Sequence, residues 1–511
     1  MFAQINKKTK LNKFDLLQAK LNDEAVFDSD LENFFDEIFT PKNIKVPTSL
    51  KADLREYQLR GFQWNINNLL NGFGTILADD MGLGKTIQAI TTLLYLIENN
   101  HIKNETIVVV PTSLLTNWEN ELNRFAPSLK HFLYYGSKRV MQKSDIIFTT
   151  YDLIRRDIDT FKKLKIDCLI IDEAQKIKNP DTNLTKAIKS LKAKYKIALS
   201  GTPVENNLSE LWSIFDFSLP KYLRSLKDFK KNYAKDIEIH KDRIKIERLK
   251  KITAPFMLRR LKTDKNIISD LPDKIIIDEY VTMTKEQVTL YQTVVNETMK
   301  QIEETDAKGV IFKLIISLKQ ICNHPRNFDK ISQNSVTKSG KAQLLMTLLD
   351  NIILQDEKVL IFTQYTQMAD MLVELIQKEL LVSPLLLKGN MSKKKREAVV
   401  NSFQNDNQYK IFILSLKAGG VGLNLTAANH VIHYDLWFNP AVENQATDRA
   451  FRIGQKKKVT VHRLITKGSF EEKIDKMIKS KQKLSDLSVN IGESWLKDMD
   501  TEELKGLFLG E

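Results

Sequence analysis

The sequence predicts an α/β protein of two large domains, each built on a mostly parallel sheet and each carrying a helical insertion. Three observations predict it. A chain of 511 residues exceeds what one hydrophobic core serves, and a 42% hydrophobic content is enough to fill two. Short apolar runs alternate with stretches of helical spacing in two separate series, the pattern of parallel strands joined by crossover helices. Between about residues 208 and 274 the strand signal stops, and it returns only after a further helical stretch near residues 284–325.

The expected strands of the first series are 76–78, 107–110, 146–149, 168–171 and 197–200; those of the second are 359–363, 385–387, 411–414, 430–434 and 459–464. Ligands of open parallel sheets bind beyond the carboxyl ends of the strands. After the first strand comes Asp79-Asp80-Met81-Gly82-Leu83-Gly84-Lys85-Thr86, followed by Ile87, Ile90, Leu94 and Ile97 on one helical face. Backbone N–H groups in such a loop, backed by the positive end of a helix dipole, form an anion site. Lys85 suits the outer phosphates of a nucleotide, and the Thr86 hydroxyl suits Mg²⁺. The strict phosphate-loop spacing has glycine where this chain has Asp79, so the pattern alone also fits a glycine turn before a helix.

The fourth strand ends in Asp172-Glu173-Ala174-Gln175, placing Asp172 to hold a metal through water and Glu173 to polarise an attacking water. Without the upstream loop, an acidic pair there reads as a helix cap. The second series has no phosphate loop of its own. Its chemical stretches are Ser415 to Asn424, with Gly419, Gly420 and Gly422 directly after a strand, and the set Gln445, Arg449, Arg452, Gln455. On one helix that set makes a polar stripe with two guanidinium groups, suited to a phosphate or equally to surface ion pairs with residues such as Asp448.

Composition narrows the classes. Cys168 and Cys322 have no spacing for zinc or a disulfide framework, and neither an 18-residue apolar run nor a signal-peptide core is present, so an intracellular, non-membrane protein is expected. The formal charge is +14, from 78 basic and 64 acidic residues. Residues 221–265 hold 16 basic against 6 acidic residues, a net +10, which points to a polyanion partner. Residues 15–40 hold eight acidic residues and one basic, and Phe27, Leu31, Phe34, Phe35, Ile38 and Phe39 suggest a docked amphipathic helix there. These features set the boundaries: an acidic helical extension (1–48), a first domain (49–275) with a basic helical insertion (208–274), a second domain (276–490) with a helical insertion (284–330), and a tail (491–511).

Taken in order, Leu54-Arg55-Glu56-Tyr57-Gln58-Leu59-Arg60-Gly61-Phe62-Gln63-Trp64, the phosphate loop, Asp172-Glu173-Ala174-Gln175, Leu199-Ser200-Gly201-Thr202-Pro203-Val204-Glu205-Asn206-Asn207, Leu258-Arg259-Arg260, Ile321-Cys322-Asn323-His324-Pro325 and the run from Leu414 to Gln455 resemble the Swi/Snf family of helicase-superfamily ATPases. The resemblance covers about residues 50–490. It implies two RecA-like lobes with ATP and Mg²⁺ in the cleft between them, and a translocase on double-stranded DNA that displaces or remodels a DNA-bound protein. A strand-separating helicase and a nucleic-acid scaffold with a switch-only ATP site are the alternatives.

Position by position, the resemblance implies that Gln58 reads adenine and that Asp79, Asp80, Met81, Gly82, Leu83, Gly84, Lys85, Thr86, Gly422 and Gln455 line the nucleotide. Thr86 and Asp172 would serve the metal, Glu173 the water, and Arg449 and Arg452 would be arginine fingers. Gln175, Ser200, Gly201, Thr202 and Gln445 would couple the motifs, and Thr112, Thr149, Thr150, Lys417 and Gly420 would lie along DNA. Gln175 stands where many members have His, so the link it makes cannot titrate near neutral pH. Histone-reading modules are not visible, and nucleosomes are not an implied substrate. The implied compartment is the cytoplasm or nucleoid of a bacterium, or the nucleus of a eukaryote.

Overall fold

The structure, a computed structural model, describes residues 13–22, 27, 29, 32–33, 35, 40, 42–136, 139–201, 207–240, 242–262, 264, 267, 272–304, 307–389, 391–415, 423–484 and 508. The chain divides into two compact units, residues 1–269 and 270–511.

Unit 1 is organised by a seven-stranded sheet, all parallel, in the order β3-β4-β2-β5-β6-β1-β7. Its strands are β1 (Thr75–Leu77), β2 (Glu105–Val110), β3 (His131–Leu133), β4 (Ile146–Thr150), β5 (Ile166–Asp172), β6 (Ala193–Leu199) and β7 (Met257–Leu258). The central strands are continuous apolar runs because both faces are covered by helices, so their side chains are buried on either side. All five expected strands appear, each end within four residues of the expected one. The sequence pattern does not announce β3 and β7, of three and two residues, which are too short to carry a periodic signal.

Five helices bear on the strand ends and the basic insertion: α1 (Lys13–Leu21), α2 (Glu56–Leu70), α3 (Lys85–Glu98), α4 (Leu115–Phe125) and α5 (Tyr151–Arg156). The basic insertion is helical, as expected, from Leu208–Ser218 through Arg243–Thr253. It does not run on as helix to residue 274. Residues 257–258 return to the sheet as β7, with Met257 abreast of Ile76 and Leu258 abreast of Leu77. Helix α1 docks on this insertion: Leu16 and Leu17 are buried, Phe14 meets the Tyr222 ring edge-on at 5.3 Å, and Gln18 donates to the Tyr222 carbonyl at 2.5 Å. The expected helix over the acidic stretch falls mostly outside the described residues. The docked helix lies earlier, although Phe35 is also buried.

Unit 2 holds a six-stranded parallel sheet, order β10-β11-β9-β12-β13-β8. Its strands are β8 (Lys274–Val281), β9 (Val359–Thr363), β10 (Leu385–Leu387), β11 (Ile411–Ser415), β12 (His430–His433) and β13 (Val459–Thr466). One apolar cluster covers each face, and a third joins the helices Lys285–Glu304 and Ala307–Asn323 to Phe438 and Phe470. Strand β8 corrects the expectation that the helical region reaches its start. It is an edge strand with Ile275, Ile276, Ile277 and Tyr280 exposed, so its side chains lack the buried-run or alternating signature of the inner strands. Among the described residues, no helix is long and apolar enough to cross a membrane.

Candidate nucleotide site

The loop between β1 and α3 is shaped by two left-handed glycines, Gly82 (φ 82°) and Gly84 (φ 77°), the second being the N-cap of α3. Glycine is required at 84 twice over: for its φ, and because a Cβ there would meet Gln58 Nε2 at 2.4 Å. Gln58 is buried, donates to the Leu83 carbonyl at 3.2 Å and accepts from the Arg55 backbone N–H at 3.0 Å, which closes the first turn of α2 against the loop. Tyr57 donates to the same carbonyl at 3.0 Å. Lys85 and Thr86 open α3, and Met81 and Gly82 are half-buried. Lys85 Nζ donates to the Asp79 and Asp80 carbonyls at 2.6 and 3.2 Å.

Asp79, the residue that breaks the strict spacing, is fully buried. Oδ1 accepts from Arg260 N and Nε at 3.1 and 2.9 Å, and Oδ2 accepts from Arg260 Nη2 and from Gln88 Nε2. The Asp79 side chain supports the loop from beneath. Arg260 also donates to the Tyr57 carbonyl and, at 2.8 Å, to Gln88 Oε1. The guanidinium ties α2, α3, β1 and β7 together, with bidentate geometry that lysine could not reproduce. Gly61 permits this, since a Cβ there would stand 2.0 Å from Gln88 Oε1 and 2.8 Å from Arg260 Nη2. Asp80 accepts from the Lys262 backbone N–H at 3.0 Å, so its carboxylate is also partly engaged with the returning segment. Sequence reasoning gives Arg260 no role; the charge complement of an aspartate in the place of a loop glycine is the signal that could have found it.

The row of strand ends brings the rest together. Leu199 of β6 stands abreast of both Leu77 of β1 and Asp172 of β5, so the phosphate loop, Ser200-Gly201 and the carboxylate pair emerge side by side. A Cβ at Gly201 would lie 2.6 Å from Met81 Cγ and 3.9 Å from Lys85 Nζ. Asp172 Oδ2 accepts from Trp118 Nε1 at 2.8 Å, and Oδ1 accepts from the Glu173 backbone N–H at 2.8 Å. Burial pushes the Asp172 carboxyl above the usual range, opposed by the Trp118 hydrogen bond and the charge of Lys85. Glu173 has φ 54°, a left-handed conformation that is strained outside glycine and clusters at functional sites. Gln175 donates to Glu173 Oε2 at 2.6 Å and accepts from Ser200 Oγ at 3.1 Å, completing a link from the carboxylates to the end of β6.

Other expected residues fall elsewhere. Thr112 is exposed at the start of the 3-10 turn Thr112–Leu114. Thr149 is fully buried and donates to the Tyr134 carbonyl at 3.3 Å, while Thr150 is 3% exposed and caps α5. The exposed cations of that helix are Arg155 and Arg156.

In unit 2 the single helical stripe is also corrected. The helix Pro440–Thr447 ends with Asp448 as C-cap, and turns carry the chain onward through Gly454, at φ 101°. Only Gln445, half-buried, lies on that helix. Arg449 is buried at 4% exposure, and Arg452 is half-buried with Nη1 3.4 Å from the Leu423 carbonyl. Gln455 is not a free ligand group, because its amide donates to the Thr426, Ala428 and Ala450 carbonyls and accepts from the Lys456 and Lys457 N–H groups. Thr202, Lys417, Gly420 and Gly422 lie outside the described residues.

Comparison with known proteins places the chain among related sequences. A family model described as SNF2-related domain matches residues 57–327, and one described as helicase conserved C-terminal domain matches residues 340–454. YwqA of Bacillus subtilis, named as an ATP-dependent helicase/translocase, is 44% identical over 477 residues, covering 91% of this chain and 52% of its own. The TATA-binding protein-associated factor MOT1 of Saccharomyces cerevisiae is 34% identical, covering 93% of this chain and 30% of its own. Among solved structures, the SWI2/SNF2 ATPase core of Sulfolobus solfataricus in complex with dsDNA is 41% identical, covering 92% of this chain and all of that one, at a TM-score of 0.46. The chain spans about half the length of the curated relatives it matches.

Proposed function

The chain belongs to the SNF2-related family, and on that premise we propose that it hydrolyses ATP, uses the energy to move along double-stranded DNA, and displaces or remodels a protein bound there. The observation that carries the reading is the row of adjacent strand ends, where a phosphate-loop lysine, a serine-glycine pair and two carboxylates converge. A nucleotide's phosphates fit the N-terminus of α3 and Lys85, and Gln58, packed on the loop, would meet the base. Thr86 and Asp172 are a hydroxyl and a carboxylate, a donor set that suits Mg²⁺, which takes few protein ligands and otherwise keeps water and phosphate oxygens. The ion, when bound, would offset charge on the phosphate oxygens.

Glu173 polarises the attacking water, and its strained backbone and the Gln175 amide fix where its carboxylate points. The Gln175 to Ser200 contact passes a change at the γ-phosphate to the end of β6 without a titration step. Arg452 supplies charge to the transition state, a role worth about 10³ to 10⁵ in rate in related chemistry. Arg449, buried within unit 2, is the weaker candidate for it. Duplex DNA is the partner by family and by the +10 charge of residues 221–265, and MOT1's name associates that relative with a DNA-bound protein.

The test compares ATP turnover with duplex DNA, single-stranded DNA and RNA, alongside displacement of a third strand from a blunt triplex. Duplex-stimulated turnover that Glu173→Gln abolishes, with triplex displacement, is the expected result. Efficient duplex unwinding without triplex displacement would identify a strand-separating helicase. Absence of nucleic-acid-stimulated turnover would leave a binding scaffold.

A further inference from the structure

Two buried aromatic side chains connect the metal-side carboxylate loop to the two neighbouring loops that open toward solvent. Trp118 lies on α4, which continues without a break from the 3-10 turn carrying exposed Thr112 and Ser113. Its indole is 1% exposed, packs near the Phe148 ring at 6.1 Å, and donates to Asp172 Oδ2 at 2.8 Å. Tyr151 is the first residue of α5, whose outer face presents Asp152, Arg155 and Arg156. Its buried hydroxyl donates to the Asp172 carbonyl at 2.6 Å and approaches the Glu173 carbonyl at 3.5 Å. One aromatic thus grips the Asp172 side chain and the other its backbone, next to the strained φ of Glu173.

We propose that Trp118 and Tyr151 are positioning residues that transmit polynucleotide binding at the exposed turn leading into α4 and on the outer face of α5 to Asp172 and Glu173, so that duplex DNA sets the carboxylates and thereby the rate of ATP hydrolysis. The proposal rests on the reading of the chain as a DNA-stimulated ATPase and names how the stimulation arises. Each helix is a short lever with a solvent-facing polar end and one inward aromatic that hydrogen-bonds the carboxylate loop, so a shift of the helix by a fraction of an ångström reorients its acceptor. Trp118 and Tyr151 touch no nucleotide; they act through the aspartate and the peptide beside it. Binding that favours one setting of these levers also stabilises one setting of the carboxylates, and the coupling is reciprocal.

The experiment uses full-length protein and a duplex oligonucleotide. Trp118→Phe keeps a ring and removes the N–H; Tyr151→Phe removes only the hydroxyl. In each, the ratio of duplex-stimulated to basal turnover should fall to about a tenth or less of wild type at unchanged duplex affinity, a split that general loss of structure does not produce. Hydrogen exchange on the wild type supplies a reading that needs no variant and no turnover. Duplex alone, without nucleotide, should change the exchange rate of the Glu173 amide, which donates to Asp172 Oδ1, by about fivefold or more. Unchanged stimulation ratios in both variants, or basal and stimulated rates falling in equal proportion, would overturn the link while leaving the ATPase reading intact. So would an unchanged Glu173 amide under saturating duplex. A wild-type protein that no nucleic acid stimulates would instead overturn the underlying reading, and the link with it.

Discussion

Both units end their central parallel strands in buried acidic residues, but the two sets of strand ends are finished differently. In unit 2, Asp435 follows β12 with no exposure, and accepts from Asn323 Nδ2 at 2.9 Å, Thr363 Oγ1 at 2.8 Å and the Gln364 backbone N–H at 2.9 Å. Asn323 turns its other atom to Lys341, which forms a pair with Glu471 at 2.8 Å that is wholly excluded from solvent. These contacts clamp the helices Ala307–Asn323, Gly340–Leu354 and Phe470–Leu484 to the sheet. In unit 1 a comparable cross-satisfied pair, Asp79 and Arg260, lies beneath the loop. Above it, Asp172 accepts from Trp118 and the Glu173 N–H, and Glu173 accepts from Gln175 on a left-handed backbone. Where polar groups are cross-satisfied in a low-dielectric interior they rigidify a fold; where they are left partly committed they can do chemistry.

The largest expected effects come from breaking the two buried ion pairs. Removing one member of such a pair strands the other charge, at about 3 to 5 kcal/mol. Lys341→Met should destabilise unit 2 by this amount, read by denaturant unfolding with hydrogen exchange to assign the loss, while nucleotide affinity stays at the wild-type value. Arg260→Met should destabilise unit 1 comparably and abolish nucleotide binding in addition, because Asp79 underlies the phosphate loop. Equal effects of both variants on nucleotide binding would erase the distinction between a structural and a site-supporting pair.

Protonation separates the units next. His433 is buried on β12 against the Phe362 ring, with Nε2 3.0 Å from Thr447 Oγ1, and burial lowers its pKa to about 3. A histidine held neutral in the fold contributes stability that is fully present above its unfolded pKa of about 6.5 and is lost as pH falls. The slope is one proton, about 1.4 kcal/mol per pH unit, so unit 2 should lose about 2 kcal/mol between pH 7 and pH 5 from this group. Unfolding followed at both pH values should show His433→Phe with a slope shallower by one proton; an unchanged slope would remove His433 from the account.

A smaller effect belongs to the link in unit 1. Gln175→Ala removes one hydrogen bond to Glu173 and one from Ser200. At about 1 to 1.5 kcal/mol for the pair, turnover should fall about tenfold with KM for ATP unchanged. A raised KM with unchanged kcat would mean that Gln175 serves ground-state binding.

Much of this is legible in the sequence, and the remainder is not for identifiable reasons. Long buried strands such as β5 and β9 declare themselves because both faces are apolar, whereas two-residue β7 and solvent-exposed β8 lack that signal. The phosphate loop and the carboxylates are readable from local spacing, since glycine φ values and strand-end acids are local requirements. Arg260 and Trp118 are not, because their partners lie 181 and 54 residues away and only the sheet order brings them together. The Gln445 to Gln455 stripe misleads because its spacing fits helical periodicity, while Gly454 and the carbonyls that engage Gln455 turn the chain out of a helix.

The smallest effect concerns the acidic extension, which unit 2 has no counterpart for among the described residues. Residues 15–40 carry a net −7, and residues 221–265 a net +10. Helix α1 docks on that basic insertion, with Asp15 3.6 Å from Arg224 beside the contact of Phe14 with the buried Tyr222 ring. The apolar contacts and the Gln18 hydrogen bond hold the helix; the ion pair, exposed at Arg224, adds little stability and is screened beyond about 8 Å at physiological salt. On the proposed reading of residues 221–265 as a DNA-facing surface, the acids would lower the potential there. Salt cannot test this, because DNA affinity itself falls with ionic strength. At fixed ionic strength, removing residues 1–46 should tighten duplex binding about threefold, the worth of one exposed charge contact, and raise basal ATP turnover. Asp15→Asn, which keeps the docked helix, should give a smaller shift in the same direction. A folded deletion protein with both quantities unchanged makes the extension a packing element alone, and a weakened duplex affinity would mean that its lysines, not its acids, face the DNA.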